Sequence, residues 1–297
     1  MSLRLATRRS PLALAQADAV ARRLGPLGVE CAIVPVTTSG DRDATSALAA
    51  LGGQGVFALE VQRAVLEGRA DVAVHSAKDL PSASPEGLVL ASVPERRDPA
   101  DVLVGRTLAG LGPGATVATG SPRRRALLLE RRPDLRVVGL RGNMATRLGA
   151  AGRDGVDAVV AAAAALERLG VVPVVVERLE TGWFVPQVGQ GALALEAREG
   201  DRATREALAG IDDAAAHRAV LAERSFLAEL GAGCAVPVGA HATAHADALE
   251  IVGVMLDADG AASVRASRRG ADPVVLGRDL ARHLRDDLGG GTLTAVR

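Results

Sequence analysis

The residues able to do chemistry gather in a few short stretches. In His75-Ser76-Ala77-Lys78-Asp79-Leu80-Pro81 an amine stands beside a carboxylate at the end of an apolar run, and Lys78 is the only lysine among 35 basic residues. A lysine kept where arginine is the rule points to a specific role, either as an imine with a carbonyl compound or as a compact charge that shares a site with Asp79. Asp79 reads equally well as a helix N-cap, and His75 as a strand-end core residue. In Gly231-Ala232-Gly233-Cys234-Ala235-Val236-Pro237 a thiol sits in a loop of small residues that something bulky can approach closely. Cys234 is then a covalent attachment point or a nucleophile. No neighbouring His or Asn completes a protease-like pair, and a buried inert thiol is the alternative.

Arginine position carries the rest. Gly120-Ser121-Pro122-Arg123-Arg124-Arg125 joins an N-cap serine to a proline at the first helical position. Free backbone N–H groups and the positive helix end then face outward beside three guanidiniums. That is an anion site for carboxylate or phosphate, or an ordinary capped helix with solvated arginines. Leu140-Arg141-Gly142-Asn143-Met144-Ala145-Thr146-Arg147 repeats the arrangement after the next strand, and Arg8 in Thr7-Arg8-Arg9-Ser10 does so after the first. Strand ends that offer arginines to one crevice call for a ligand with several negative charges.

The elements that must position these groups alternate. Residues 11–24 read as a helix opened by Ser10 and Pro11, with Leu12, Ala15, Ala19, Val20 and Leu24 as its core-facing stripe. Residues 31–36 read as a buried strand, 40–55 as a mobile glycine-rich loop, and a helix starts near Val56. Further strands are expected at 71–75, 101–104, 115–119, 135–140 and 157–161, with helices at 122–132, 143–149 and up to Leu169. Strand–helix alternation of this kind argues parallel α/β units. A faint echo between Gly68-Arg-Ala-Asp71-Val-Ala-Val and Gly155-Val-Asp157-Ala-Val-Val suggests two similar lobes. From Asp212 the texture changes to a helix at 214–230, strands at 237–243 and 249–256, and a last helix at 274–288. That is a smaller α+β domain.

Composition excludes several classes. Acids and bases balance at 35 each, so no global field draws in nucleic acid or membrane. Locally the balance fails: between Arg96 and Arg153 there are 12 arginines against four acids. Phe57, Trp183, Phe184 and Phe226 are too few to stack nucleic-acid bases. No apolar run is long enough to span a membrane, and two cysteines make no disulfide framework. The opening Met1-Ser2-Leu3-Arg4 lacks a secretory pattern, so a cytoplasmic location is expected.

Together the motifs resemble the porphobilinogen deaminase (hydroxymethylbilane synthase) family over almost the full length. The resemblance rests on Arg4-Leu-Ala-Thr-Arg-Arg-Ser-Pro-Leu-Ala, Gly68-Arg-Ala-Asp-Val-Ala-Val-His-Ser-Ala-Lys-Asp-Leu-Pro and Arg131-Arg-Pro-Asp-Leu. Leu140-Arg-Gly-Asn-Met-Ala-Thr-Arg-Leu, Val188-Gly-Gln-Gly-Ala and Gly233-Cys-Ala-Val-Pro-Val-Gly add to it in family order. It implies a transferase that joins four porphobilinogen molecules with loss of ammonia, primed by a dipyrromethane cofactor held by a thioether to Cys234. It implies an α/β fold with two lobes like type II periplasmic binding proteins and a smaller C-terminal α+β domain. The divisions expected are 1–94 with 190–210, 95–189, and 211–297. On the same resemblance Asp79 is catalytic, while Lys78, Ser121, Arg123 and Arg124 bind the cofactor. Arg8, Ser10, Arg141, Arg147, Arg168 and Phe57 bind substrate. Loss of ammonia leaves a cationic azafulvene, whose charge Asp79 would offset; Lys78 would then bind a carboxylate rather than form an imine. Ala50 and Gln54 stand where the family commonly has lysines, and Pro122 where it has leucine. A monomer is expected.

Two other readings share these residues. A two-lobed receptor explains an arginine-lined cleft without chemistry, and an enzyme using pyridoxal phosphate explains Lys78. Intact mass separates the first, because a receptor weighs what its sequence says; borohydride and a visible spectrum separate the second.

Overall fold

Short strands with β-branched and small apolar residues build three sheets in the computed structural model, which describes residues 1–37, 58–81, 83–231 and 236–294. The first sheet holds β1 (Ser2–Arg8), β2 (Glu30–Val36), β3 (Val72–Ser76), β4 (Leu88–Ser92) and β10 (Leu193–Arg198), in the order β2-β1-β3-β10-β4. The second holds β5 (Asp101–Val104), β6 (Thr116–Ala118), β7 (Arg136–Val138), β8 (Ala158–Ala162) and β9 (Val176–Arg178), in the order β7-β6-β8-β5-β9. The two orders correspond position by position. Their central strands, β3 and β8, are the two halves of the sequence echo.

The alternation of side chains along each strand explains the layers. In the first sheet Leu3, Leu5, Val72 and Val74 pack on helix α1 (Pro11–Leu24), while Ala6 and Ala73 pack on helix α2 (Leu59–Leu66) through Val61 and Val65. In the second, Leu103, Val117 and Val160 meet Leu127 and Leu128 of α3 (Pro122–Arg131). Val102, Val104, Val159 and Ala161 face the other way, toward α4 (Met144–Gly149) and Leu166 of α5 (Ala163–Leu169). Helix α6 (Arg202–Ala209) closes the first unit through Leu208.

The third sheet is an antiparallel meander of β11 (Val238–His245), β12 (Ala248–Leu256) and β13 (Ser263–Gly270). Phe226 of α7 (Ala214–Leu230) and Leu276 and Leu280 of α8 (Pro273–Arg282) cover it. Its β12 also reaches the second lobe, where Val254 and Leu256 join Phe184 in one core.

The sheets are mixed rather than parallel. β10 runs antiparallel to both β3 and β4, and β5 runs antiparallel to β8 and β9. The cause is topological: the chain leaves the first sheet after β4, builds the second, and re-enters the first in the opposite sense. Strand β2, expected to be buried, lies at a sheet edge with Cys31 only half-buried. The stripe of α1 is rotated: Ala13, Gln16, Ala17, Val20 and Leu24 are buried. Ala15 and Ala19 instead line an open cavity toward Glu167 and Arg168 of α5, so the helix serves two neighbours. β13 was not expected, because Ser-Val-Arg-Ala-Ser-Arg-Arg-Gly carries its apolar face on Val264 and Ala266 alone.

Candidate active site

Each lobe presents the carboxyl ends of its parallel strands, the place where α/β sheets bind ligands. Arg8 ends β1, and a 3-10 turn, Ala77–Asp79, follows β3. Ser121 opens α3 after β6; its hydroxyl accepts from the Arg124 N–H at 3.4 Å. Asn143 opens α4 in the same way, accepting from Thr146 N–H at 3.0 Å. Ser10 opens α1, accepting from Ala13 N–H at 3.3 Å. Asp79 is not a cap. It is the exposed last residue of its turn, and Ser76 takes the cap position.

The turn that carries Lys78 and Asp79 is fixed from behind. Ala77 N–H donates to Ala192 O at 3.0 Å, and the Gln187 side-chain amide donates to Lys78 O at 3.2 Å. Gly189, at φ +74°, lies so close that a Cβ there would sit 2.9 Å from the Lys78 backbone nitrogen. Only glycine both accepts that backbone angle and leaves that space.

The three arginines of α3 do not fan out together into an open anion site. Arg123 and Arg124 turn inward to a buried carboxylate, Asp101, at 2.7 and 2.6 Å. Arg123 also donates to Val185 O at 2.6 Å, and Arg124 to Val160 O at 3.0 Å. Arg125 goes elsewhere, to Val137 O at 2.8 Å. Burial alone would push the Asp101 carboxyl up, but the two guanidiniums override it and hold it down at about 2. Arg123 and Arg124 each keep a buried Nε–H with no acceptor among the described residues. Those donors suit a ligand that brings carboxylates to this wall of the site.

Lys78 is half-buried, and its ammonium donates to Gln190 Oε1 at 3.3 Å. Burial, and then the Arg124 charge, pull it down to about 8, against the opposing pull of Asp79 and Asp101. Arg147 is lowered by burial and by Arg124, with Asp79 acting the other way; its Nε donates to Gly142 O at 2.8 Å. Arg141, three residues past β7, is exposed. Arg168 stands on α5 and donates to Gly191 O at 2.7 Å; burial takes it down to about 10, despite the neighbouring Glu167. Phe57, Ala50, Gln54 and Cys234 lie outside the described residues.

Two family models match the chain: "Porphobilinogen deaminase, dipyromethane cofactor binding domain" over residues 3–206 and "Porphobilinogen deaminase, C-terminal domain" over residues 217–286. The chain belongs to the porphobilinogen deaminase family. The porphobilinogen deaminase of Roseiflexus castenholzii is 46% identical to it over 99% of each chain. That of Syntrophotalea carbinolica is 45% identical over 89% of this chain and 85% of its own. Among solved structures, the methionine-binding protein MetQ shares 11% identity at a TM-score of 0.44, covering 73% of this chain and 92% of its own.

Against that family's expected site, sequence reasoning missed the groups that hold the arginines in place. Asp101, Gln190 and the Arg96–Glu223 pair belong here. Glu223 of α7 takes Arg96 at 2.6 Å, Gly189 N–H at 2.6 Å and Ala242 N–H at 2.8 Å, so it ties both interlobe crossings to the third sheet. The motif Val188-Gly-Gln-Gly-Ala had contained one of them, Gln190, without showing what it touches.

Proposed function

We propose that this chain is a hydroxymethylbilane synthase. It joins four porphobilinogen molecules head to tail, releases ammonia at each addition, and frees the linear tetrapyrrole by hydrolysis, on the way to porphyrins and haem. One observation carries the reading beyond family membership. Asp79 is an exposed carboxylate whose charge is felt by Lys78 from one lobe and by Arg147 from the other. An exposed anion set between cations of both lobes suits a reaction that creates positive charge on a substrate held by its carboxylates.

The residues divide by what they can do. Cys234 would hold the dipyrromethane through a thioether, with Lys78, Ser121, Arg123 and Arg124 taking its acetate and propionate groups. The fit rests on the unpartnered Nε–H groups of Arg123 and Arg124 and on the single long bond made by Lys78. Ser121 accepts as a cap, which leaves its hydroxyl proton to donate. When bound, the dipyrromethane supplies a pyrrole carbon as nucleophile. Arg8, Ser10, Arg141, Arg147, Arg168 and Phe57 orient porphobilinogen and the lengthening chain by their negative charges. The Asp79 carboxylate accepts pyrrole N–H groups and offsets the positive ring charge left when ammonia departs, an effect that grows as water is excluded.

The same reading divides the chain into 1–94 with 190–210, 95–189, and 211–297, one sheet to each. It makes the protein a cytoplasmic monomer with no nucleic-acid or membrane partner. No helix among the described residues is long and apolar enough to cross a membrane. The deciding experiment is intact mass beside turnover of porphobilinogen. Protein from cells that make the pyrrole precursor should exceed 30.3 kDa by two linked pyrroles. Cys234→Ala should remove that increment while Cys31→Ala keeps it. An unmodified wild-type mass with no ammonia released overturns the reading.

A further inference from the structure

The crossing between the lobes buries a polar side chain that the chemistry of the site does not use. Gln190 is fully buried, and its carboxamide is engaged on both sides. Its Nε2 donates to Pro99 O at 2.7 Å and to Asp101 Oδ1 at 3.0 Å. Its Oε1 accepts from Lys78 at 3.3 Å and from Arg124 at 3.5 Å. We propose that Gln190 is a positioning residue for the reaction: its carboxamide ties Lys78 of the first lobe to Asp101 of the second. It thereby fixes where the only ammonium of the site stands among the arginines. The proposal rests on the reading of the chain as a hydroxymethylbilane synthase.

The chemistry of the position admits an amide and little else. It faces acceptors, Asp101 and Pro99 O, on one side and cations, Lys78 and Arg124, on the other. A carboxylate would repel Asp101 and leave Pro99 O without a donor. An ammonium or guanidinium would repel both cations, and an apolar group would strand every partner in a dry interior. The backbone beneath the amide is also held. Gln190 O accepts from Arg96 Nε at 2.9 Å, Gly189 N–H donates to Glu223, and Gly191 O accepts from Arg97 N–H at 3.1 Å and from Arg168. A Cβ on Gly191 would collide with Arg97 O, so the two crossing strands of backbone lie in close contact here. The amide therefore has one place to be.

The consequence concerns Asp79. Lys78 is its sequence neighbour, yet the ammonium bonds Gln190. Without that acceptor, an ammonium crowded by Arg123 and Arg124 is left to Asp79 on its own turn and to Asp101, whose oxygens already take both arginines. Pairing there would neutralise the carboxylate that the substrate needs. Gln190 keeps the two apart.

Because Lys78 is the only lysine, protein grown on lysine labelled with carbon-13 at the ε position gives a single resonance, which reports this ammonium alone. The charged groups facing it are Arg123, Arg124, Asp79 and Asp101. In the wild type its midpoint should lie near 8. Gln190→Glu places an anion in contact and should raise the midpoint by about 1–3 units. Gln190→Met keeps the volume without the acceptor. It should lower kcat by on the order of 10–10²-fold, as displaced catalytic groups do, with KM for porphobilinogen little changed. A Lys78 midpoint unmoved in folded Gln190→Glu overturns the inference, whatever happens to activity. If neither variant folds, the wild type still decides. The nitrogen-15 signal of the Gln190 side-chain amide should titrate with the Lys78 midpoint, and a flat amide overturns the link. A coupled titration in a protein that does not consume porphobilinogen supports the tie while sinking the functional reading.

Discussion

Asp79 and Asp101 face an overlapping set of cations and are treated in opposite ways. Asp101 is fully buried at the start of β5, takes Arg123, Arg124 and Gln190, and is held at about 2. Asp79 is exposed at the end of a 3-10 turn, and its carboxylate forms no ion pair or hydrogen bond with another described residue. A buried carboxylate needs full compensation or it costs several kcal/mol, so Asp101 has no capacity left for a ligand. An exposed carboxylate needs none, so Asp79 keeps its capacity. One anion builds the arginine wall; in the proposed reaction the other acts on what the wall holds.

The two can be separated by substitution. Asp101→Ala leaves two buried guanidiniums uncompensated and should cost roughly 3–5 kcal/mol of stability, read by urea unfolding. The acid limb follows the same group: a carboxyl depressed from 3.8 to about 2 contributes stability that is present above pH 3.8 and is lost as pH falls toward 2. An Asp101→Ala protein as stable as wild type would break the contrast outright. Asp79→Asn should do the reverse. Its unfolding midpoint stays put while kcat falls on the order of 10²–10³-fold, the range for removing a principal electrostatic stabiliser. Asp79→Glu should be impaired but better than Asn, because it keeps the charge and moves it by one methylene. Near wild-type turnover in the Asn variant would mean the ring charge is offset elsewhere.

The arginines sharpen the contrast further. Arg147 feels both Arg124 and Asp79, and no carboxylate of the protein pairs with it among the described residues. Arg147→Leu should therefore stall elongation at a particular stage, with a loss of roughly 1.5–3 kcal/mol for one charge-assisted contact. If only the apparent KM rises and the intermediates are unchanged, the arginines act as a general funnel.

The strand end that carries Asp79 was legible in the sequence, while the ion cluster around Asp101 was not, for a physical reason. The turn at 76–79, the caps at Ser10, Ser121 and Asn143, and the arginines behind them are local: each sits within a few residues of the strand end or helix start that reveals it. Asp101 reads as the polar first residue of an apolar strand. Its partners lie 22, 23 and 89 residues away, and no local pattern announces a long-range ion cluster. The same limit explains the missed strands. β10 pairs with β3 and β4 across the whole second lobe, so its direction depends on chain path rather than on periodicity.

Ser121 gives the smallest effect and tests where the two regions join. Its hydroxyl caps α3, the helix that carries Arg123 and Arg124 to Asp101, and its remaining proton is free for the carboxylates of the proposed cofactor. Ser121→Ala should cost about 1 kcal/mol of stability, the usual value of an N-cap. The Asp101 cluster should stay intact, because its ion pairs do not depend on the cap bond at 3.4 Å. The mass increment from the cofactor should therefore persist, since Cys234 and the arginines would still hold it. A cap variant that kept its stability and lost the increment would reverse the assignment. Ser121 would then serve the ligand rather than the helix.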